Sequence, residues 1–345
     1  MTPVTGGSTN ELPAVLAIDV GNSKTDVALI GADGAVLGAI RGPTASHQAV
    51  GPERGFATLV SLVERVCSQA GLDPAARPAA QLAAYCAAGV DLPSDERLLT
   101  TELRRTGLAA ADLVVNDCYG GLRAGTNRTW GVCVISGSGI NCLGVSPDGR
   151  VARFDALGDV SGDWGGGGGV GLAGLAAAVR SQDGRGPATI LERTVPAHFG
   201  VARARSLSVA MYRGRIAYDR HVEIAPLVFA AAARGDAVAR GIVDRLADEV
   251  VAWAGAAIRR LKMQRLDPHV VLAGGMFRAE DPPFYERIGA GIAAAAPAAQ
   301  VCRLTAPPIV GAALLGFDRL HGTPTPPDLE ERLRAGLTHE RMSRG

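Results

Sequence analysis

The sequence predicts a mixed α/β protein of two domains with related strand patterns. Its 345 residues correspond to about two domains at roughly 150 residues each, long enough to bury two cores. Each half opens with three short apolar segments separated by turns, followed by helical and further strand patterns, which is typical of mixed sheets. Hydrophobic residues make up 47% of the chain and aromatic residues only 4%, so we expect cores of small aliphatic side chains.

The first half has the order strand, strand, strand, helix, strand, helix, strand. Residues 1–13 precede it and are small and polar, so we expect them to be disordered. Apolar segments with intervening turns predict the first three strands at 15–20, 25–30 and 35–40. The remaining elements alternate between helix and strand, at 51–71, 82–88, 93–105 and 113–116.

The second half repeats the opening of the first. Apolar segments and Gly-containing turns predict three strands, at 130–136, 140–146 and 151–154. A helical region follows at about 172–262, with 237–261 as its clearest long helix, and a buried strand at 270–273 comes next. The similarity of the two halves indicates a weak internal repeat. Residues 322–345 begin with a Pro/Thr stretch, end in charged residues and are expected to form a tail.

The composition argues against three classes of protein: those that bind nucleic acids, those that span membranes and those stabilised by disulfides. Lys and Arg total 35 against 34 Asp and Glu, so the net charge of +1 offers no basic excess to bind a nucleic acid. The sequence shows no signal-peptide pattern and no apolar run of membrane-spanning length, so we expect no membrane association. The six cysteines form no Cys-x-x-Cys pair, which favours buried free thiols and a cytoplasmic location.

The first candidate site is the segment 19–25, Asp-Val-Gly-Asn-Ser-Lys-Thr, which joins the first two strands. A carboxylate at a strand end, beside a turn open to a phosphate, suits a nucleotide with Mg²⁺. Lys24 is also one of only two lysines, the other being Lys262. The alternative is a plain β-hairpin with an incidental Asp, but the combination of Asp19, Lys24 and Thr25 favours the functional interpretation.

The second candidate is the turn 136–139, Ser-Gly-Ser-Gly, between the first two strands of the second half. It offers two hydroxyls, and Asn141 adds an amide. Ser/Gly hairpin turns are common, so the turn alone is a weak signal. The turn becomes a stronger candidate because it occupies the same position in the second half as the first candidate turn does in the first half.

The third candidate is Asp117, which directly follows the strand 113–116. In open α/β sheets, a carboxylate at the carboxyl end of a parallel strand faces the ligand crevice. The alternative is a helix N-cap, which Asn116 or Asp117 could supply. The two interpretations are compatible.

Two glycine segments complete the set. The run 165–169 lies in a glycine pattern that matches dinucleotide-binding folds, but no strand precedes it, so we reject that interpretation. The run suits either a helix start that approaches a ligand or a flexible linker. The pair Gly274-Gly275 follows a strand and could lie against a flat base, or form an ordinary strand-to-helix turn.

Together these segments resemble the acetate and sugar kinase/heat-shock-70/actin superfamily, and more closely the BadF/BadG/BcrA/BcrD-type ATPase group that includes N-acetylglucosamine kinase. The resemblance covers about residues 15–320. It rests on motifs in the family's order, at 19–25, 116–117, 135–142, 162–165, 271–275 and 309–316.

The resemblance implies an α/β fold of two actin-like (ribonuclease H-like) domains, with a nucleotide and sugar cleft between them. The N-terminal domain would span 14–119 and be completed by a helix at about 309–321. The C-terminal domain would span 120–308. The resemblance also favours a homodimer.

The resemblance further implies roles for individual residues in phosphorylating a sugar with ATP. Asp19 would hold Mg²⁺ through water, Asp117 would accept the proton of the sugar 6-hydroxyl, and Gly274 and Gly275 would pack on the adenosine. The phosphates would be held by the two turns, through Gly21, Asn22, Ser23, Lys24, Thr25, Gly137, Ser138 and Gly139. The sugar would be lined by Ser46, His47, Asp117, Ser138, Asn141 and Asp163.

The chain departs from the family on the sugar side. N-acetylglucosamine kinases place Asn-His after a loop Ser or Thr, where this chain has Thr-Ala-Ser-His at 44–47. A Gly-Trp pair is replaced by Ala156-Leu157, and Trp164 with the glycine run stands in place of Glu-Gly-Ser and an aromatic residue. The sequence therefore leaves three candidates for the acceptor sugar, which are N-acetylglucosamine, glucosamine and another hexose derivative.

Two other functions fit the sequence less well. An ATPase activator of a redox enzyme, such as a 2-hydroxyacyl-CoA dehydratase, would hold an iron–sulfur cluster, but Cys118, Cys133 and Cys142 lack the exposed, Gly-flanked setting that such a cluster requires. A repressor of the related ROK family would need a helix-turn-helix before the first turn and a Cys-rich zinc motif. Neither is found.

Overall fold

The computed structural model describes residues 12–344, which form two compact units. One unit comprises the residues up to Ala124 together with those from Thr305 onward, and the other comprises Gly125–Leu304. Each unit has a five-stranded sheet and an apolar core of its own. The expected disorder of residues 1–13 lies outside the described residues, except for positions 12 and 13.

The sheet of the first unit has the strand order β3-β2-β1-β4-β5. Its strands are β1 (Val15–Val20), β2 (Thr25–Ile30), β3 (Val36–Gly42), β4 (Ala80–Ala87) and β5 (Ala109–Asn116). β1, β2 and β3 pair antiparallel, whereas β4 runs parallel to β1 and β5 runs parallel to β4. The carboxyl ends of β1, β4 and β5 therefore lie at one edge of this sheet.

The sheet of the second unit repeats this topology. Its strands are β6 (Gly131–Ser136), β7 (Ile140–Val145), β8 (Val151–Arg153), β9 (His269–Ala273) and β10 (Gln300–Arg303). The order is β10-β9-β6-β7-β8, with β6–β8 antiparallel and β9 and β10 parallel to β6. Read from the opposite edge, β6–β10 stand in the places of β1–β5, which confirms the internal repeat.

Helices cover both sheets. The first unit holds α1 (His47–Val50), α2 (Pro52–Gln69), α3 (Pro93–Thr106), α4 (Asp117–Gly125, which ends at the unit boundary), α11 (Ile309–His321), α12 (Pro327–Gly336) and α13 (His339–Arg344). The second unit holds α5 (Gly166–Gln182), α6 (Leu191–His198), α7 (Ala204–Tyr212), α8 (Ala225–Ala233), α9 (Ala237–Arg260) and α10 (Pro282–Ala295). None of the helices in residues 12–344 has the length and apolarity needed to cross a lipid bilayer.

The core of the first unit forms where apolar helix faces meet the sheet. Leu59, Val63 and Val66 recur at helical spacing on α2 and are fully buried against β2 and β3. On α11, a Cβ at Gly316 would lie 2.6 Å from Val15, so glycine lets this helix approach β1 closely. Aliphatic residues dominate both cores, as the composition predicted.

The sequence interpretation was wrong or incomplete at three places. The expected tail 322–345 contains α12 and α13, whose buried Leu333 and Met342 attach them to the first unit. The helical region begins at Gly166 instead of 172, because the glycine run is itself helical. α10 and β10 were not predicted from the sequence. β10 gave no strand pattern because it is a short, largely exposed edge strand without an apolar alternation. The cysteine prediction is confirmed, since all six thiols are free and five are buried.

Candidate active site

Asp19 and Asp26 form an acidic pair near the carboxyl end of β1. They are direct partners in the register of β1 and β2, so their side chains lie on the same face. Asp26 is fully buried and has two cationic partners: Lys24 Nζ lies 3.0 Å from Oδ2, and Arg41 donates to both carboxylate oxygens at 2.7 and 2.8 Å. No ion pair to Asp19 occurs in the described part of the chain.

The pKa of Asp19 reflects this uneven distribution of cations. Burial raises it from 3.8 to about 7, and the charge of Asp26 adds to the increase. Lys24 and Arg41 oppose it, but both bind Asp26 directly. Asp19 is therefore a carboxyl group close to half-protonated at neutral pH, and a bound cation would favour its ionised form.

Asp117 occupies the end of β5 and is the first residue of α4. Asn116 serves the helix start, because its Oδ1 accepts a hydrogen bond from Cys118 N at 2.9 Å. The amide of Asn116 donates to Asp91 Oδ1, also at 2.9 Å. Burial raises the pKa of Asp117 to about 8, and the nearby Asp19 and Asp91 raise it further. The side-chain cap therefore comes from Asn116, and Asp117 is a second, partly exposed carboxyl group with a raised pKa.

Cys86 on β4 lies between these two acids. It is the partner of Asp19 in the parallel register of β1 and β4, and β5 pairs on the other side of β4. Burial raises the pKa of the Cys86 thiol, and the charges of Asp19 and Asp117 add to the increase. The sheet order thus brings together the two acidic residues that the sequence singled out in the first half.

The segment 21–25, which is the turn and the first residue of β2, is bonded to the loop 44–46, which follows β3. Three hydrogen bonds of 2.7 Å join them, from Thr44 Oγ1 to Gly21 O, from Ala45 N to Thr25 Oγ1 and from Ser46 Oγ to Asn22 Oδ1. Asn22 and Ser23 are exposed, whereas Thr25 and Ser46 are fully buried. The hydroxyls of Thr25 and Ser46, both expected to bind ligands, are therefore engaged within the protein.

His47 follows this loop as the first residue of α1. Its ring bonds to the Gly89 backbone, while its buried Nδ1 has no hydrogen-bond partner among the described residues. Burial lowers the pKa of His47, which favours the neutral form of the ring. A neutral ring that donates to a carbonyl through Nε2 leaves Nδ1 as an acceptor. This nitrogen suits a ligand hydroxyl or amide N–H.

In the second unit, the glycine run forms the first turn of α5 and touches the 136–139 turn backbone to backbone. Gly167 N donates to Gly137 O at 2.7 Å, and Gly168 N donates to Ser138 O at 2.8 Å. Gly166 has a φ of +61°, and a Cβ there would lie 2.4 Å from Gly139 O. The run is therefore a close-packed helix start that supports the turn, and the linker interpretation is wrong.

Gly274 supports the same turn from the end of β9. Its φ is +103°, and a Cβ at this position would lie 2.4 Å from Ser136 O. Gly275 has open space around it. The buried hydroxyl of Ser136 has no partner among the described residues. Ser138 and Gly139 remain exposed at the tip of the turn.

Two of the three polar residues expected on the sugar side of the second unit, Asn141 and Asp163, are held by local bonds. Asn141 Oδ1 accepts from Cys142 N at 2.7 Å. Asp163 closes the segment 158–163, where its Oδ2 accepts from Gly158 N at 3.1 Å and from the Ser161 hydroxyl. The carboxylate of Asp163 therefore stabilises its own turn.

The donor set around Asp19 fits Mg²⁺ better than a metal held by protein alone. Within residues 12–344, no group of three or more His, Cys, Asp or Glu side chains could hold a metal ion. Mg²⁺ commonly keeps several waters and binds one or two carboxylates together with substrate phosphates. Asp19 is a single, partly exposed carboxylate that forms no ion pair within the described residues, which is consistent with that mode.

Asp26, Arg41 and Asp91 were not among the site residues predicted from the sequence. Asp26 lies inside an apolar strand, and a charged residue at a buried strand position was the available signal. Arg41 could not be linked to it without the register of β2 and β3, in which the two residues are partners. Asp91 lies in a loop and carries no recognisable motif.

Proteins of similar sequence are sugar kinases by name. A Clostridium acetobutylicum protein named N-acetylmuramic acid/N-acetylglucosamine kinase is 29% identical over 265 residues, which cover 76% of this chain and 85% of that protein. A Dictyostelium discoideum protein named N-acetyl-D-glucosamine kinase is 24% identical over 314 residues, which cover 88% of this chain and 97% of that protein.

Solved structures show the same fold. A Chromobacterium violaceum protein provisionally named N-acetylglucosamine kinase superposes with a TM-score of 0.71 at 23% identity, covering 88% of this chain and 99% of that one. A ROK hexokinase from Thermus thermophilus gives a TM-score of 0.51 at 19% identity, covering 89% and 99%. The fold is thus shared with these two proteins. The sequence also matches a family model over residues 16–316, and the chain belongs to the BadF/BadG/BcrA/BcrD ATPase family.

Proposed function

We propose that this protein is an ATP-dependent amino-sugar kinase that forms the 6-phosphate of N-acetylglucosamine. The observation that carries the proposal is Asp117, a partly exposed carboxyl group at the end of a parallel strand, whose pKa desolvation raises to about 8, with a second acid, Asp19, nearby. The names of both similar proteins support the substrate class.

In the proposed reaction, the ionised Asp117 accepts the proton of the sugar 6-hydroxyl as the oxygen attacks the γ-phosphorus of ATP. The bond between the γ-phosphorus and the bridging oxygen breaks, and ADP leaves with that oxygen. A general base is most effective when its pKa lies near the working pH, which suits a value near 8. The rest of such catalysis is positioning and charge stabilisation.

The remaining residues divide between nucleotide and sugar. Asp19 would hold Mg²⁺ through water, and the ion would neutralise phosphate charge. The exposed parts of the 21–24 and 136–139 turns would contact phosphates, with Lys24 as a flexible cation, and Gly274-Gly275 would lie against the adenosine. His47 Nδ1 would accept a hydrogen bond from the sugar. Asn141, Ser138 and Asp163 stay in the proposed sugar set, although local bonds engage Asn141 and Asp163.

A second acceptor, N-acetylmuramic acid, is favoured by the name of the Clostridium acetobutylicum relative. Glucosamine and other hexose derivatives are further candidates, because the 44–47 and 156–157 segments differ from the pattern of N-acetylglucosamine kinases. Family resemblance supports a homodimer, and the use of ATP supports a cytoplasmic site of action. The redox-linked ATPase activator is the alternative of another class.

The test measures ADP release by the purified protein with Mg·ATP. The reactions contain no sugar, N-acetylglucosamine, N-acetylmuramic acid, glucosamine or glucose. We expect strong stimulation by N-acetylglucosamine and little turnover without sugar. Equal ADP release in all reactions would overturn the kinase proposal in favour of an ATPase activator, and stimulation by another sugar alone would reassign the acceptor.

A further inference from the structure

The loop 44–46 joins the two parts of the first unit to which the proposed function assigns different ligands. On one side it bonds to the 21–25 segment, proposed for phosphate, through the three hydrogen bonds of 2.7 Å described above. On the other side it continues directly into His47, proposed for the sugar.

Ser46 connects both sides through one hydroxyl group. Its Oγ donates to Asn22 Oδ1 at 2.7 Å and accepts from Ala49 N at 3.3 Å, which makes it the N-cap of α1. The side chain is fully buried, so no solvent path replaces these bonds. A movement of Asn22 therefore changes the bonding of the residue that sets the start of α1 and the position of His47.

Thr44 adds a second link of the same kind. Its hydroxyl donates to Gly21 O at 2.7 Å and accepts from Ser46 N at 3.0 Å. The loop backbone is also fixed against α2, because a Cβ at Gly55 would lie 2.5 Å from Ala45 O. Within the first unit, the loop is therefore a short, hydrogen-bonded connection between the 21–25 segment and the start of α1.

We propose that the 44–46 loop couples nucleotide binding to sugar binding, with Thr44 and Ser46 as positioning residues. The proposal rests on the assignment of the 21–25 turn to ATP and of His47 to the sugar. A nucleotide that orders the exposed turn also fixes Asn22, Ser46 and the start of α1. When the sugar binds next, His47 is already ordered and less conformational entropy is lost. Each ligand therefore raises the affinity of the protein for the other. Linkage requires the effect to be equal in both directions.

The test is a pair of titrations by calorimetry, with a non-hydrolysable ATP analogue and Mg²⁺ in the absence and presence of the sugar that most stimulates ADP release. The ratio of the two dissociation constants is the coupling factor. We expect a factor of at least about fivefold for the wild type, the lower end of typical linked sites. Reverse titrations with the sugar should give the same factor.

The decisive variant is Ser46→Gly. Glycine is itself an acceptable N-cap, so α1 is largely retained while the bond to Asn22 is lost. We expect the coupling factor to fall towards one, with Thr44→Val acting in the same direction. Ser68→Ala is the matched control, because the Ser68 hydroxyl bonds to Glu64 O within α2 and lies in neither ligand segment. It should keep the wild-type factor.

A purely structural role of the loop gives a different result. It would weaken both affinities in Ser46→Gly by similar factors and leave their ratio unchanged, which overturns the coupling proposal. A wild-type factor of one also overturns it, while sugar-stimulated ADP release in the same preparation would leave the kinase function standing. If no sugar stimulates ADP release, the proposed function itself is wrong, and the coupling proposal falls with it.

Discussion

Asp19 and Asp26 are partners across the β1–β2 pair, yet only Asp26 has direct cationic partners. Lys24 and Arg41 compensate the buried charge of Asp26, and the pKa of Asp19 stays near 7. The arrangement leaves one acid permanently paired and the other available to a cation. Asp117, with its raised pKa, adds a second available acid at the same edge of the sheet.

The pH dependence of activity should follow these two acids. Because burial raises both carboxyl pKa values, to about 7 for Asp19 and about 8 for Asp117, each is protonated below its pKa. The proton-accepting form of Asp117 and the cation-binding form of Asp19 are then lost. We expect kcat/KM for the sugar to fall as the pH drops through 8 and 7, since this parameter reports groups of the free enzyme. A flat profile from about pH 6 to about pH 9 would contradict these roles.

The stability of the ligand-free protein should show the opposite trend. The folded chain holds the Asp117 proton more tightly than the unfolded chain, whose pKa is near 3.8. The contribution of Asp117 to stability is therefore present at low pH and lost as the pH rises from about 4 to about 8. Asp117→Asn should raise the free energy of unfolding more at pH 8 than at pH 5, as measured in urea.

The control for that experiment is Asp112→Asn. Asp112 lies on the same strand, where it forms an ion pair with Arg104 at 2.7 Å. Its substitution should not produce a gain in stability that grows with pH. A similar gain in both variants would mean that the effect does not come from the buried site.

Lys24 can be probed by chemistry, because the chain has only two lysines. Its side chain is 35% exposed, and Lys262 is exposed in the second unit. We expect Mg·ATP to slow modification of Lys24 by an amine-reactive reagent, because phosphate binding occupies the ammonium group. Lys262 serves as the internal control in the same mass spectrum. Equal protection of both lysines, or of neither, would remove Lys24 from the nucleotide site.

The glycine run offers a test of the second turn. Gly166→Ala forces a side chain into a backbone contact of 2.4 Å at a φ of +61°, so it should displace the 137–139 turn. We expect the KM for ATP to rise at least about tenfold, which corresponds to about 1.4 kcal/mol of lost binding. Gly241→Ala on α9 has open space around it and should be neutral or stabilising by about 0.5–1 kcal/mol. An unchanged KM in Gly166→Ala would separate this turn from the nucleotide.

Local sequence patterns were sufficient to predict much of the fold. Apolar segments bounded by turn residues predicted β1–β4 and β6–β9 close to their observed ends, and the carboxyl end of β5 placed Asp117 correctly. The register of β1 and the parallel pairing of β1, β4 and β5 were not predicted and come from the structure. The sheet order places Asp19 and Asp117 at the same edge of the sheet.

Other parts of the site depend on contacts between segments distant in sequence. The partnership of Asp26 with Arg41 requires the β2–β3 register, and the engagement of Ser46 by Asn22 requires the course of the loop after β3. The glycine run could be understood only once Gly166 was seen against Gly139. Tertiary contacts of this kind leave no periodicity in the sequence. For that reason Ser46 and Thr25 were predicted to bind ligands, whereas their hydroxyls bond within the protein.

The most direct test of the central claim is to identify the product of the wild type and of Asp117→Asn by phosphorus NMR. With Mg·ATP and N-acetylglucosamine, we predict that the wild type forms N-acetylglucosamine 6-phosphate and one ADP per sugar. Asp117→Asn should form it about 10²–10⁴ times more slowly, with the sugar affinity largely kept. Inorganic phosphate as the only phosphorus product besides ADP, or an Asp117→Asn rate equal to that of the wild type, would contradict the account.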